Sequence, residues 1–398
     1  MRPGRRLWSR HDWPRCRQFS RASIARLGRR IAWVITPCLS IDLEAIEHNA
    51  RAIVRLFAEH GIAVSGVTKG ACGDPEIAKA MLRGDIETLA DSRLENIAQL
   101  RDGGIDVPLT LLRLPALSNI AEVVARTNAS LNSEIDVVAA LSDEAERCGV
   151  VHDVVLMVEL GDLREGICPD DLMPFVDGML DLPGVRLAGL GTNLACLAGV
   201  VPSPDNMTQL VVLAEEIESK FGLELELISG MNSSGLELLA AGGMPARVNH
   251  ARIGEAILLG CETTHRRPWP GTRQDTFLLY AEILECKRKP SHPLGERAED
   301  AFGQRPPFDN RGERVRALLN VGREDVDIGS LTPLDPGIAI VGASSGYLVA
   351  DVTEATDAVA VGDVLTFRLG YGALLAAMTS TYVKKRFCKG HKSRAAEV

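Results

Sequence analysis

Beyond its first thirty or so residues the chain alternates short apolar runs, rich in β-branched residues, with longer segments whose apolar positions recur every three to four residues. The short runs lie near 62–68, 86–90, 108–113, 128–131, 153–159, 186–191, 225–229 and 249–253. Runs of this length between turn residues predict buried strands. The intervening segments predict amphipathic helices: Ile46, Ala50, Ile53 and Leu56 share one helical face, and 134–146 and 206–221 carry the same period. Eight strands alternating with helices over roughly 220 residues predict an α/β fold, a closed (β/α)8 TIM-type barrel. The competing open, doubly wound sheet needs a glycine-rich phosphate loop after its first strand, and Lys69-Gly70-Ala71-Cys72-Gly73 is not one.

The pattern changes past Gly260. Residues 265–275 are rich in Pro, Arg and Thr, and 287–313 form a polar stretch holding Pro290, Pro293, Pro306 and Pro307. Around them lie β-type segments at Thr276–Cys286, Val315–Val321, Ile338–Val352 and Asp363–Leu369. The barrel is therefore assigned to 35–263, followed by a smaller, mainly β C-terminal domain at 264–398, with Lys384–Lys389 read as the start of a frayed basic tail. Residues 1–34 stand apart as a basic leader, read as disordered. The first thirty hold ten arginines and a single acid, Asp12, with no apolar core of a secretory signal. No apolar run is long enough for a membrane-spanning helix.

Composition narrows the partners. The 398 residues carry 44 basic and 53 acidic side chains, a net charge of −9, which argues against nucleic acid and anionic membranes. Aromatic residues make up only 4%, so platforms for stacking bases are not expected. The nine cysteines are odd in number and none shows C-x-x-C spacing, which predicts reduced thiols in a cytoplasmic protein. His250, His265 and His292 show no metal-ligand spacing, and no metal is expected.

In such barrels chemistry sits at the carboxyl ends of the strands. The first predicted strand ends in Lys69, where desolvation would lower the amine's pKa and suit it for an imine. The alternative is an ordinary loop lysine. The fifth strand is followed by Gly161-Asp162-Leu163-Arg164-Glu165-Gly166 and the sixth ends in Gly191-Thr192-Asn193. The seventh ends in Ser229-Gly230-Met231-Asn232-Ser233-Ser234-Gly235, hydroxyls and amides at a helix start that form a ready anion site. The eighth gives Arg252-Ile253-Gly254-Glu255. An imine-forming lysine, an anion cradle and a basic group between them match the needs of pyridoxal 5'-phosphate.

These stretches, with Gly342-Ala343-Ser344-Ser345 and the run 367–375, carry a resemblance. From about Ile35 to Tyr382 the chain resembles the fold-type III, alanine-racemase-like pyridoxal-phosphate enzymes, and within them the ornithine racemase branch. The resemblance implies an amino-acid racemase. Lys69 would be the Schiff-base lysine. Ser233 and the backbone N–H groups around Ile253, Gly254 and Glu255 would hold the phosphate, helped by the Tyr371 hydroxyl. Arg164 and Asn193 would line the cofactor's hydroxyl and ring side, and Arg252 would face the pyridine nitrogen. A guanidinium keeps its own proton and leaves that nitrogen bare. The weaker electron sink favours return of the proton to Cα over transamination. The resemblance further implies a head-to-tail homodimer, with roughly 320–350 reaching the partner's site, and a basic substrate, ornithine before lysine; alanine racemase is the alternative.

Racemisation needs acid/base groups on both faces of a planar carbon. Alanine racemases supply the second as a tyrosine from the partner subunit, where this chain has Gly322-Arg323-Glu324-Asp325-Val326. Tyr347 and Asp325 are the candidates. Gly346-Tyr347 also replaces the Asp-His pair of the ornithine branch. Glu324, Asp325 and Asp327 could meet a distal ammonium. Asp162 and Glu165 read as solvated or paired loop charges, and Cys72 and Cys196 as small packing residues near the mouth. Two other functions compete. A non-catalytic pyridoxal-phosphate carrier would lack the β domain, and a metal-assisted lyase would need a better ligand pair than Cys286 and His292.

Overall fold

The computed structural model describes residues 35–390. Strand β1 (Cys38–Asp42) leads into helix α1 (Leu43–Ala58). Strand–helix units follow: β2 (Ala63–Val67) and α2 (Pro75–Arg83), β3 (Thr88–Asp91) and α3 (Leu94–Asp102), β4 (Leu109–Leu111) and α4 (Ile120–Arg126), β5 (Ala129–Asn132) and α5 (Ile135–Cys148). The series continues with β6 (His152–Met157) and α6 (Pro169–Leu180), β7 (Val185–Gly191) and α7 (Pro204–Phe221), β8 (Leu227–Met231) and α8 (Leu236–Ala240), β9 (His250–Ile253) and α9 (Glu255–Leu259). Strands β2 to β9 pair in sequence order as a closed parallel barrel, with β9 returning to β2 so that Ser65 lies opposite Arg252. Each of the eight apolar runs contributes one barrel strand. Strands covered on both faces read as near-continuous apolar runs. The outer faces and the helices form one large core, while Leu131, Val155, Met157 and Ala188 form a small separate cluster.

The second unit holds β10 (Phe277–Pro290), β11 (Glu313–Leu319), β12 (Leu331–Pro333), β13 (Ala339–Ala343), β14 (Leu348–Asp351), β15 (Val364–Leu369), helix α10 (Tyr371–Thr379) and β16 (Lys384–Cys388). Its sheet runs β12-β15-β10-β11-β14-β13, with antiparallel neighbours. The predicted segment 338–352 is a hairpin of β13 and β14 with Ser344–Tyr347 in its turn.

Two features differ from the sequence reading. Strand β1 belongs to the second sheet, pairing antiparallel with β10 and parallel with β16. Lys384–Cys388 is accordingly a strand and not a frayed tail. A basic pentapeptide has no apolar alternation to announce it, and its order comes from backbone pairing with β1, whose five residues are all buried. The leader, 1–34, lies outside the described residues.

Asp42 welds these parts together. It caps α1 by accepting the Glu44 and Ala45 amides at 3.1 Å, accepts the Gly390 amide at 3.2 Å, and pairs with Arg273 Nη2 at 3.3 Å. Loss of the cap and of a buried charge partner should lower the unfolding free energy of Asp42→Ala by about 2–3 kcal/mol. Urea denaturation measures this, and an unchanged midpoint would contradict the assignment.

Candidate active site

The carboxyl ends of the barrel strands surround a cavity of about 730 Å³, within the range typical of small-molecule sites. Lys69 enters it from the end of β2. Thr68 donates its Oγ1 hydrogen to Asp91 Oδ2 at 2.6 Å and its amide to Ala90 O at 3.0 Å, which anchors the 3-10 turn Lys69–Ala71 to β3. Gly70 lets two groups approach, since a Cβ there would stand 3.2 Å from both the Tyr371 ring and Leu258. Burial is the main cause pulling the Lys69 ammonium below the ordinary lysine pKa. Arg164 and Arg252 act in the same direction, while Cys196 and Asp91 oppose. More of the amine is therefore free at neutral pH than for a lysine in water.

Arg252, on β9, is 5% exposed. Its Nη1 donates to Ser229 O at 3.0 Å and to Ser229 Oγ, and its Nη2 to Thr192 O at 2.6 Å. Burial lowers its pKa to about 10, so it remains a cation at neutral pH. Ser233, 4% exposed, accepts the Ala256 amide at 3.2 Å. Gly254 brings the end of β9 against β2, where a Cβ would sit 3.1 Å from Val67 Cβ and 3.2 Å from Val67 O. Glu255 pairs with Arg266 Nη1 at 2.9 Å, and burial raises its pKa. Tyr371, the first residue of α10, has its phenol pushed up to about 12, chiefly by burial, and so keeps its proton.

The loops after β6 and β7 complete the wall. Arg164 pairs with Glu165 and donates Nη1 to Cys196 Sγ at 2.9 Å. Asn193 accepts Asn232 Nδ2 at 3.3 Å, while its own Nδ2 is buried without a partner. Asp162 corrects the sequence reading. It is 1% exposed and accepts the amides of Cys196, Leu197, Gly199 and Val200 at 2.7–3.3 Å. Burial alone would raise its pKa, but the converging amides outweigh that and hold it below the usual carboxylate value.

Of the residues singled out from sequence, Lys69, Arg164, Asn193 and Ser233 line this cavity, as do Arg252, Gly254, Glu255 and Tyr371. Ile253 does not, because its side chain is fully buried in the core. Cys196, read as a packing residue, is exposed at the cavity wall. Arg93 and Arg113 also line the cavity, at the ends of β3 and β4. The rule that chemistry follows each strand would have found both. Tyr347, 48% exposed in the β13–β14 turn, does not reach the cavity of its own chain. Nor does Asp325, which is buried and accepts the Gly322 amide at 2.8 Å. Glu237, Glu262 and His265 come together elsewhere, but Arg267 pairs with both carboxylates and supplies the cation.

Fold and site together define a barrel protein with a strand-end lysine, a buried serine, a glycine and a buried arginine lining one cavity, roofed by a helix of the second unit. The family described as alanine racemase, N-terminal domain, matches residues 41–261. The chain is 39% identical over 350 residues to an ornithine racemase of Acetoanaerobium sticklandii, covering 88% of this chain and 99% of that protein. It is 38% identical over 352 residues to a lysine racemase of Thermotoga maritima, covering 88% and 98%. In fold it is similar to alanine racemase from Streptomyces lavendulae, with TM-score 0.68 and 18% identity over 90% of this chain and 99% of that one. A D-threonine aldolase from Filomicrobium marinum shares the fold, with TM-score 0.65 and 16% identity over 87% and 89%. The chain belongs to the alanine racemase N-terminal-domain family.

The Asp162 carboxylate yields a pH-dependent test. Because folding lowers its pKa, its stabilisation is complete above the unfolded value of about 3.9 and is lost as pH falls through the folded value. Asp162→Asn should cost about 2 kcal/mol at pH 7, and the difference from the parent should shrink below about pH 4. Urea melts at both pH values check this. A gap that does not depend on pH would contradict the role of the charge.

Proposed function

We propose that the protein is a pyridoxal 5'-phosphate-dependent amino-acid racemase acting on a basic amino acid, ornithine or lysine. The observation that carries this reading is a desolvated lysine amine in one cavity with a serine–glycine cradle and a buried guanidinium. The residues fit the cofactor. Gly254 lets the end of β9 pack against Val67 at the cavity wall, and the buried Asn193 Nδ2 is a donor in need of an acceptor. Ser233 with the backbone at Ile253, Gly254 and Glu255 would hold the phosphate, Tyr371 would add a hydroxyl, Arg252 would meet the ring nitrogen, and Arg164 and Asn193 would flank the ring. When bound, the cofactor supplies an aldehyde for an amine and a ring that stabilises negative charge at Cα.

The protein's own groups then move the proton. Lys69 Nζ, its ammonium held below the ordinary lysine pKa chiefly by burial, takes or returns the Cα hydrogen on one face. Arg252 stays charged and withholds a proton from the ring nitrogen, which favours return of the proton to Cα over transamination. The opposite face needs a second donor, and we assign it to a partner subunit in a head-to-tail homodimer. Arg93 and Arg113 line the cavity, and the guanidinium of neither pairs with a carboxylate among the described residues, which favours an acidic loop docking there. Of the acids in 324–327, Asp325 is bonded within its own turn and Asp327 accepts Ser330 Oγ at 2.5 Å. Glu324 is therefore the acid best able to meet a distal ammonium, and the adjacent Tyr347 is the better candidate for the second acid/base group. The relatives named as ornithine and lysine racemases support the basic substrate. The C-terminal sheet weighs against a carrier. The eight cysteines of the described residues are all free, in keeping with a cytoplasmic setting.

Incubation of the purified protein with pyridoxal 5'-phosphate and L-ornithine, L-lysine or L-alanine, followed by chiral analysis, tests the reading. The D-enantiomers of ornithine and lysine should form at least about tenfold faster than D-alanine, the discrimination expected from one charge-assisted contact. Sedimentation should show a dimer. Absence of any D-product would overturn the assignment, and equal rates on alanine would overturn the basic substrate.

A further inference from the structure

The mechanism leaves one group at the root of the site without a task. His250 opens β9, two residues before Arg252, with Ser229 of β8 and Ala63 of β2 as its strand neighbours. Its Nδ1 lies 2.7 Å from Ser229 Oγ and its Nε2 lies 2.8 Å from Ser65 Oγ. Ser65 Oγ is in turn 2.6 Å from Thr88 Oγ1. Ser229 Oγ also accepts Arg252 Nη1. One unbroken chain of hydrogen bonds thus crosses β9, β8, β2 and β3, from the cavity-lining guanidinium to Thr88.

We propose that His250 is a positioning residue, which fixes the Arg252 guanidinium through Ser229 and so sets how the cavity treats the ring nitrogen of its cofactor. The proposal rests on the pyridoxal-phosphate reading above. Its argument is the polarity of the chain. A guanidinium can only donate, so Ser229 Oγ accepts from Arg252 and sends its own hydrogen onward. The imidazole Nδ1 receives that hydrogen, which leaves the ring proton on Nε2, donated to Ser65 Oγ, whose hydrogen passes to Thr88. Every donor points the same way, and bonds aligned in series polarise and strengthen one another. A charged imidazole would break this order, because both nitrogens would donate and a second cation would face Arg252 across one oxygen. Burial and Arg252 together hold His250 neutral, with a pKa of about 3. With Nη1 held by Ser229 and Nη2 by Thr192 O, the guanidinium has one orientation at the cavity wall. Without His250 the Ser229 hydroxyl is free to turn, and of the guanidinium's acceptors only the backbone carbonyls Ser229 O and Thr192 O stay fixed.

Three variants test this when loaded with pyridoxal 5'-phosphate. His250→Leu fills the space without a relay, Ser229→Ala removes the link, and His250→Asn keeps an acceptor within reach of Ser229. The readouts are the absorbance spectrum and dissociation constant of the bound cofactor, and the ratio of pyridoxamine 5'-phosphate formed to amino acid racemised. His250→Leu and Ser229→Ala should weaken cofactor binding about three- to tenfold, shift the spectrum and raise that ratio. His250→Asn should recover part of each. If His250→Leu does not fold, Ser65→Ala breaks the chain one bond further away and should move the same readouts less, in the same direction. A loaded, folded His250→Leu with the parent's spectrum and product ratio, losing only thermal stability, overturns the proposal. A parent that binds no pyridoxal 5'-phosphate overturns the functional reading beneath it, and this proposal with it.

Discussion

The seam where β9 closes on β2 is the constraint on which the rest of the molecule depends. Closure places Arg252 opposite Ser65 and lets the backbone at Gly254 rest on Val67, one strand end away from Lys69. The lysine and the arginine lie 183 positions apart in sequence (252 − 69) and meet only because the eighth strand returns to the first. Any change that opens this seam lets water reach the lysine and separates it from Arg252 and Gly254. The same strands that bury the amine also supply its neighbours, so desolvation and positioning come from one packing event.

The second unit acts on this seam from above. Helix α10 follows β15 directly and sets Tyr371 over Gly70, while β1 and β16 bind the beginning and end of the described chain into the sheet that carries α10. Asp162 performs a similar service on the opposite rim. By gathering the amides of the loop after β7 onto one carboxylate it holds Arg164, Asn193 and Cys196 within one wall. A buried carboxylate satisfied by backbone amides is rigid in a way that a solvated loop charge is not.

Much of this was legible from the residues. The barrel strands could be read because strands buried on both faces are apolar throughout, and the cavity residues because such folds keep their chemistry at strand ends. What escaped was set by tertiary context. Strand β16 is spelled Lys-Lys-Arg-Phe-Cys and gains its conformation from a partner more than three hundred residues away. Asp162 looks like any loop acid until the amides that surround it are seen. Ile253 could be assigned only through its backbone N–H, since its side chain is buried in the core. Arg93 and Arg113 were missed although they follow strands as directly as Lys69 does, and Asp325 could not be known to be committed to its own turn.

The central claim is that this strand-end lysine, made reactive by desolvation, is the group that holds the cofactor. Loading the protein with pyridoxal 5'-phosphate, reducing it with borohydride and mapping the modified peptide tests the claim most directly. A phosphopyridoxyl group on Lys69 is the predicted result; its stable attachment to a different lysine, with Lys69 unmodified, would contradict it.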